Sequence, residues 1–149
     1  MNNQELYNQV IRNIINQGGP SIDDESEACV YRNKNGRMCA AGPFIPNDKY
    51  TPEMEEEPIF WKFNKDGKIH HEMNPRFENV FDDIDIVFLS KLQWLHDTAD
   101  DSSDYTFFMG WIPTMINFGK KNDLDLSVFS EFKGNSMVGD LIGGTHFNE

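Results

Sequence analysis

Residues 29–42 read CVYRNKNGRMCAAG, two short apolar runs about a polar Asn33-Lys34-Asn35-Gly36 centre, with both cysteines of the chain, one on each arm. Asn-Gly between apolar runs is a strong hairpin signal, because both residues tolerate the left-handed backbone that a tight turn needs. The stretch therefore predicts strands over residues 28–32 and 37–41, ended by Gly42-Pro43. Three registers are open. Pairs summing to 70 set Tyr31 opposite Cys39 and leave the cysteines on one face but diagonal, beyond disulfide reach. Pairs summing to 68 make them direct neighbours, and pairs summing to 69 put them on opposite faces. The start of the chain, MNNQELYNQV, has no basic stretch followed by an apolar one. It reads as no secretory signal, so reduced thiols are expected in every register.

Working outward, residues 4–17 carry Leu6, Tyr7, Val10, Ile11, Ile14 and Ile15 at steps of three and four, which predicts an amphipathic helix stopped by Gly18-Gly19-Pro20. Residues 43–58 hold four prolines and an acid run, an ordered but irregular loop. Residues 59–73, IFWKFNKDGKIHHEM, predict a second hairpin about Asp66-Gly67. Helical spacing returns over residues 79–98, with Ile84, Val87, Phe88, Lys91, Leu92 and Leu95 as the stripe and Asp82 and Asp83 favouring the N-terminus. A third helix is expected from Asp104, carrying Phe107, Phe108, Trp111, Met115 and Phe118. Pro113 should kink it or mark its first turn, and Gly119 should cap it. LDLSVFSEF reads as a short strand or a helical turn. Residues 134–149 read as a glycine-rich, flexible tail with one anchoring strand. The expected architecture is a single domain over residues 1–149 of the α+β class, a small hairpin-based antiparallel sheet packed by about three helices.

The 149 residues suffice for one hydrophobic core, and twelve Phe, four Tyr and three Trp offset a modest 38% hydrophobic content. No run approaches the ~20 apolar residues of a membrane span. Thirteen basic residues against twenty-five acidic ones give a net charge of −12. Arg12, Arg32, Arg37, Lys62, Lys68, Arg76, Lys91 and Lys133 are scattered along the chain, so direct binding to nucleic acid or anionic membrane is disfavoured. The acid excess reads as solubility or as an acidic face that competes with nucleic acid for a basic partner.

The residues advertise no catalytic centre. Zinc ligands are offered by Cys29, Cys39, His70, His71, His96 and His146, but the cysteines lie far apart and the adjacent histidines of a strand point to opposite faces. Neither cysteine precedes a helix that would lower its pKa. Gly139 to Gly144 is glycine-rich without the Gly-Lys-Ser/Thr of a phosphate loop. Glu53, Glu55, Glu56 and Glu57 lack the alternating ligands and glycine of a calcium loop. No catalytic, cofactor-binding or metal-ligating residue is assigned and no cofactor is expected. The alternative is a small metal- or thiol-dependent enzyme using Cys29, Cys39 and a histidine. The same acids, with Phe60, Trp61 and Phe63 beside them and Trp94 off the main stripe of its helix, form the candidate partner-binding surface, since aromatics centre protein interfaces. The competing reading is that these aromatics close the core over a small sheet.

The order Cys29, Tyr31-Arg32, Gly36, Cys39-Ala40, Gly42, Ile45-Pro46, Asp48, Tyr50, Pro52-Glu53-Met54 resembles a family of small, largely uncharacterised tailed-bacteriophage proteins. The likeness covers the first third of the chain and continues more weakly to the helix before Leu124-Asp125-Leu126. This chain has a longer aromatic and histidine-bearing middle than such proteins. No activity is attached to the family, so no functional residue is carried over. The resemblance implies an intracellular phage product acting in the host cytoplasm. The functional expectation is a non-catalytic acidic phage protein that binds and modulates or inhibits a host protein, a defence or transcription component, with nucleic-acid mimicry as one mode.

Overall fold

A computed structural model describes residues 1–143. It contains a two-stranded antiparallel hairpin and three main helices, a small α+β fold. Helix α1 spans Asn3–Gln17, and all six residues of its stripe are buried. Its N-terminus is closed by a reciprocal capping box in which Glu5 N donates to Asn2 Oδ1 and Asn2 N donates to Glu5 Oε1.

Strands β1 (Phe60–Lys65) and β2 (Lys68–Met73) pair in register from Phe60↔Met73 to Lys65↔Lys68. That register leaves Asp66-Gly67 as a two-residue loop. Both have positive φ, 54° and 74°, as a turn matched to the right-handed strand twist requires.

Helix α2 spans Ile86–Asp97, shorter than the periodicity over 79–98 predicts. Its N-cap is Asp85, which accepts from Phe88 N; Asp82 and Asp83 lie in the bend before it. Its buried face is Phe88, Leu89, Leu92, Gln93 and His96. Val87 and Lys91, expected in that stripe, stand on the opposite face with Ser90 and Trp94, where steps of three and four make a second stripe.

Helix α3 spans Asp104–Lys121 from the N-cap Ser103. Pro113 lies inside it on the solvent face, so the carbonyl it leaves without a donor looks to water. Gly119 is interior to α3 and the C-cap is Asn122, a correction to the expected cap. A Cβ at Gly119 would lie 2.6 Å from Tyr7 Oη and 2.4 Å from Leu126 Cδ2, so the missing side chain is what admits both. Tyr7 donates its hydroxyl to Met115 O and packs against Phe118 and Phe129, tying α1 to α3.

Residues Ser127–Phe132 form a 3-10 turn, and the expected anchoring strand is instead the short helix α4, Gly139–Gly143. Val138 just before it and Ile142 within it are fully buried, so residues 134–143 pack on the core rather than trail from it. The rest of the expected flexible tail, residues 144–149 with His146, lies outside the described residues.

The hairpin predicted over residues 28–41 does not form strands. The turn and the register summing to 70 are present, with a single bridge Arg32↔Met38 and Cys39 N donating to Tyr31 O. The ladder stops there because distant side chains take its donors. Tyr31 N and Arg32 N donate to the Glu55 carboxylate, Met38 N to Gln17 Oε1 and Ala41 N to Gln93 Oε1. Cys29 bridges to Ile22 instead.

Candidate functional site

The eight residues of the candidate surface divide into three groups. Glu55 and Glu57 belong to the fold. Glu55 accepts from Tyr31 N (2.7 Å), Arg32 N (3.2 Å) and Tyr50 Oη (2.6 Å). Glu57 accepts from Asn74 Nδ2 at 3.0 Å and pairs with Arg76 Nε at 2.9 Å, and these partners, Asn74 first, hold its carboxyl below the usual range. Glu53 and Glu56 alone are solvated acids of that run.

The aromatics form the third group. Opposite residues of a hairpin share a face, so Trp61, Phe63 and His70 stand on its outward side, Phe63 stacked on His70 at 5.5 Å. Phe60, Lys62 and His71 stand on the inward side, across from Trp94 of α2. His70 and His71 thus point to opposite faces. The arm is held at its base, where buried Asn74 donates from N to Ile59 O and from Nδ2 to Pro58 O. Beyond that clasp every residue from Trp61 to Glu72 is exposed, and the strands contact each other far more than any helix. Trp61 is 43% exposed, Phe63 40% and Ile69 60%; on the facing side of α2, Val87 is 54% and Trp94 64% exposed. Trp61, Phe63 and Trp94 do not close the core, whereas Phe60 is half-buried and packs against it.

Between arm and helix runs a trough. Its larger part, about 710 Å³, has Phe60, Lys62 and His71 on one wall and Val87, Lys91 and Trp94 on the other, over Leu95 and Phe118. Phe118 is fixed from below by Tyr7 and Phe88. Past Phe60 and Trp94 the trough continues into a cleft of about 320 Å³ whose rim carries Glu56, Glu57 and Asp97. One end is basic and apolar, the other acidic. Val87, Lys62, Lys91, His71 and Phe118 are absent from the sequence-based candidate surface. The exposed stripe 87-90-91-94 was the signal available, hidden because Val87 also fits the buried period.

The structure brings Cys29, His96 and Asp97 together, with one ligand atom from each within 4.8 Å of the others. The hydrogen bonds decide what this group can do. Ser21 N donates to His96 Nε2 (3.1 Å), so that nitrogen is an acceptor and the ring proton is on Nδ1, donated to Asp97 Oδ1 at 2.9 Å. A metal on Nδ1 would force a proton onto Nε2, against the Ser21 N–H. A nucleophile's base would need Nε2 free toward the thiol. Neither ring nitrogen is available. Burial, then the charges of Asp97 and Asp101, push the Cys29 thiol up to about 12, opposite to the direction a nucleophile requires. Cys39 is fully buried and its thiol is likewise raised, by burial first. Both cysteines are free, and the group reads as a strut joining the 21–29 loop to α2.

Among the described residues no helix is long and apolar enough to cross a membrane. The chain matches no protein-family model, no curated protein and no solved structure, so its function is read from its own residues.

Proposed function

We propose that this chain is a non-catalytic phage protein that binds and modulates a host protein, and that the hairpin arm with the outer face of α2 is its binding surface. One observation carries the reading: five large apolar side chains are 40–64% exposed on two adjoining elements, Trp61, Phe63 and Ile69 on the arm and Val87 and Trp94 on α2. Scattered exposed apolar residues need no explanation, but these gather on one arm and one helix, Ile69 on the inward side that faces Val87 and Trp94 and Trp61 with Phe63 on the outward side, and exposed tryptophans are the residues that interface cores favour. The arm also gains little from its own fold, since a lone two-stranded hairpin is marginal in water. The acids assigned to this surface from sequence contribute less than expected, because Glu55 and Glu57 are committed internally.

The test is capture from host lysate with the tagged protein and two variants, Trp61→Ala/Phe63→Ala and Trp94→Ala. A stoichiometric partner retained by the wild type and lost by a folded variant is expected. A partner retained by both variants, or none at low salt, would refute the reading. Nucleic-acid mimicry predicts in addition that capture weakens steeply with salt.

A further inference from the structure

The geometry points to an acidic peptide segment with apolar anchors as the occupant of the trough between the arm and α2. This rests on the binding role proposed above and specifies its chemistry. The acidity of the whole chain suggests a basic partner; the trough is where that sign reverses.

Phe60–Met73 carries Lys62, Lys65 and Lys68 against Asp66 and Glu72, a net positive segment in a chain of net charge −12. Lys91 joins it from α2 across the groove. Elsewhere five cations are held in ion pairs, Arg12 with Glu131, Arg37 with Asp104, Arg76 with Glu57, Lys34 with Glu25 and Lys49 with Asp82, and the other lysines unpaired among the described residues, Lys120, Lys121 and Lys133, do not line the trough. Lys62 and Lys91 have no ion pair among the described residues. Two unpaired ammonium groups therefore flank an apolar floor of Phe118 and Leu95, with Val87 and Trp94 on one wall. A ligand that matches this pattern places apolar side chains on the floor and carboxylates at the rim. Glu56 and Asp97 at the far end repel carboxylates, which restricts the acids to the Lys62–Lys91 end and fixes the direction in which the segment lies.

A fluorescein-labelled amphipathic peptide with Leu and Phe at i, i+4 and i+7 and Glu between them serves as the probe, beside versions with Gln or Lys in place of Glu. Fluorescence anisotropy with the full-length protein at low salt reads affinity. The Glu peptide is expected to bind about tenfold or more tighter than the Gln peptide, as two partly desolvated charge contacts would give. Lys62→Glu/Lys91→Glu, both at exposed positions, should erase that preference or turn it toward the Lys peptide, and Val87→Asp should abolish binding of all three. Equal binding of the Glu and Gln peptides, preference of the wild type for Lys, or no binding at all overturns the inference. So does a concentration-dependent dimer lost on Val87→Asp, which would put a second copy of the chain in the groove. Failure here is separable from failure of the binding role. If charge reversal leaves lysate capture intact while Trp94→Ala or Trp61→Ala/Phe63→Ala removes it, the surface stands and the acidic-peptide chemistry falls.

Discussion

Replacing Glu55 distinguishes a structural strut from the solvated acid run that EMEEEP suggests. The carboxylate receives three donors, Tyr31 N, Arg32 N and Tyr50 Oη, at 2.7, 3.2 and 2.6 Å, and it terminates the ladder of the 29–42 turn. Hydrogen bonds to a charged acceptor contribute about 1.5–3 kcal/mol each when buried. Glu55 is only half-buried, and water can reach part of what it leaves, so about 1 kcal/mol per bond is the better value. Glu55→Ala should then destabilise the fold by about 3 kcal/mol, or about 6–12 °C in Tm for a chain of this size. Glu55→Gln keeps one oxygen but turns an amide NH2 toward donors, and should cost about 1–2 kcal/mol. Glu53→Ala, at a solvated position with no bond to lose, should stay within about 0.5 kcal/mol. Urea unfolding followed by circular dichroism gives all three on one scale. If Glu55→Ala costs no more than Glu53→Ala, the strut does not exist and the acid run returns to the surface.

Other consequences can be measured on the same protein. With its thiol pushed up to about 12, Cys29 should react with Ellman's reagent at pH 8.5 roughly 30- to 50-fold slower than a free cysteine. That figure combines a thiolate fraction about three orders lower with the partial gain in nucleophilicity at high pKa; a rate at or above the free thiol's would reopen the nucleophile reading. Gly119→Ala should destabilise by about 1–3 kcal/mol through overpacking against Tyr7 and Leu126, although helix propensity alone predicts a gain of about 1 kcal/mol. A Tm above wild type would refute that contact. Asp85→Ala removes the α2 N-cap at a cost of about 1 kcal/mol. The Phe88 N–H, and then Asn3, hold the Asp85 carboxyl below its ordinary value. A lowered folded pKa stabilises above the unfolded value and is lost as pH falls through the folded one. The gap between wild type and variant should therefore be full above about pH 5 and shrink toward pH 3. An undiminished gap at pH 3 would show that the cap's charge plays no part.

Where the determinants are local, the sequence is enough. In α1 the buried stripe, the capping box and the Gly18 stop all lie within the helix itself. The Phe60–Met73 hairpin is equally self-contained, since Asp66-Gly67 sets its turn and register. Residues 29–42 carry as strong a turn signal, and the turn and one register did form. Their strands did not, because Glu55, Gln17 and Gln93 supply acceptors from 21 or more positions away in the sequence, which periodicity does not encode. The candidate site was half legible for the same reason. Trp61, Phe63 and Trp94 are visible as aromatics outside a stripe, whereas the meeting of Lys62 with Lys91 depends on how the arm lies against α2.

That meeting also explains why composition misleads here. A net charge is a sum, and a partner senses only the field near the surface it touches, within a Debye length of about 8–10 Å. In this fold five of the twenty-five acids, Asp85, Glu55, Glu57, Asp104 and Glu131, are drawn into caps, struts and ion pairs. The lysines of the arm are left unpaired beside the most exposed aromatics. The acidic total speaks to solubility and to long-range repulsion of nucleic acid; the local surface that would meet a partner has the opposite sign. An interaction governed by the total charge would be strengthened by Lys62→Glu, and one governed by the groove would be weakened by it. The sign of that single effect separates the two.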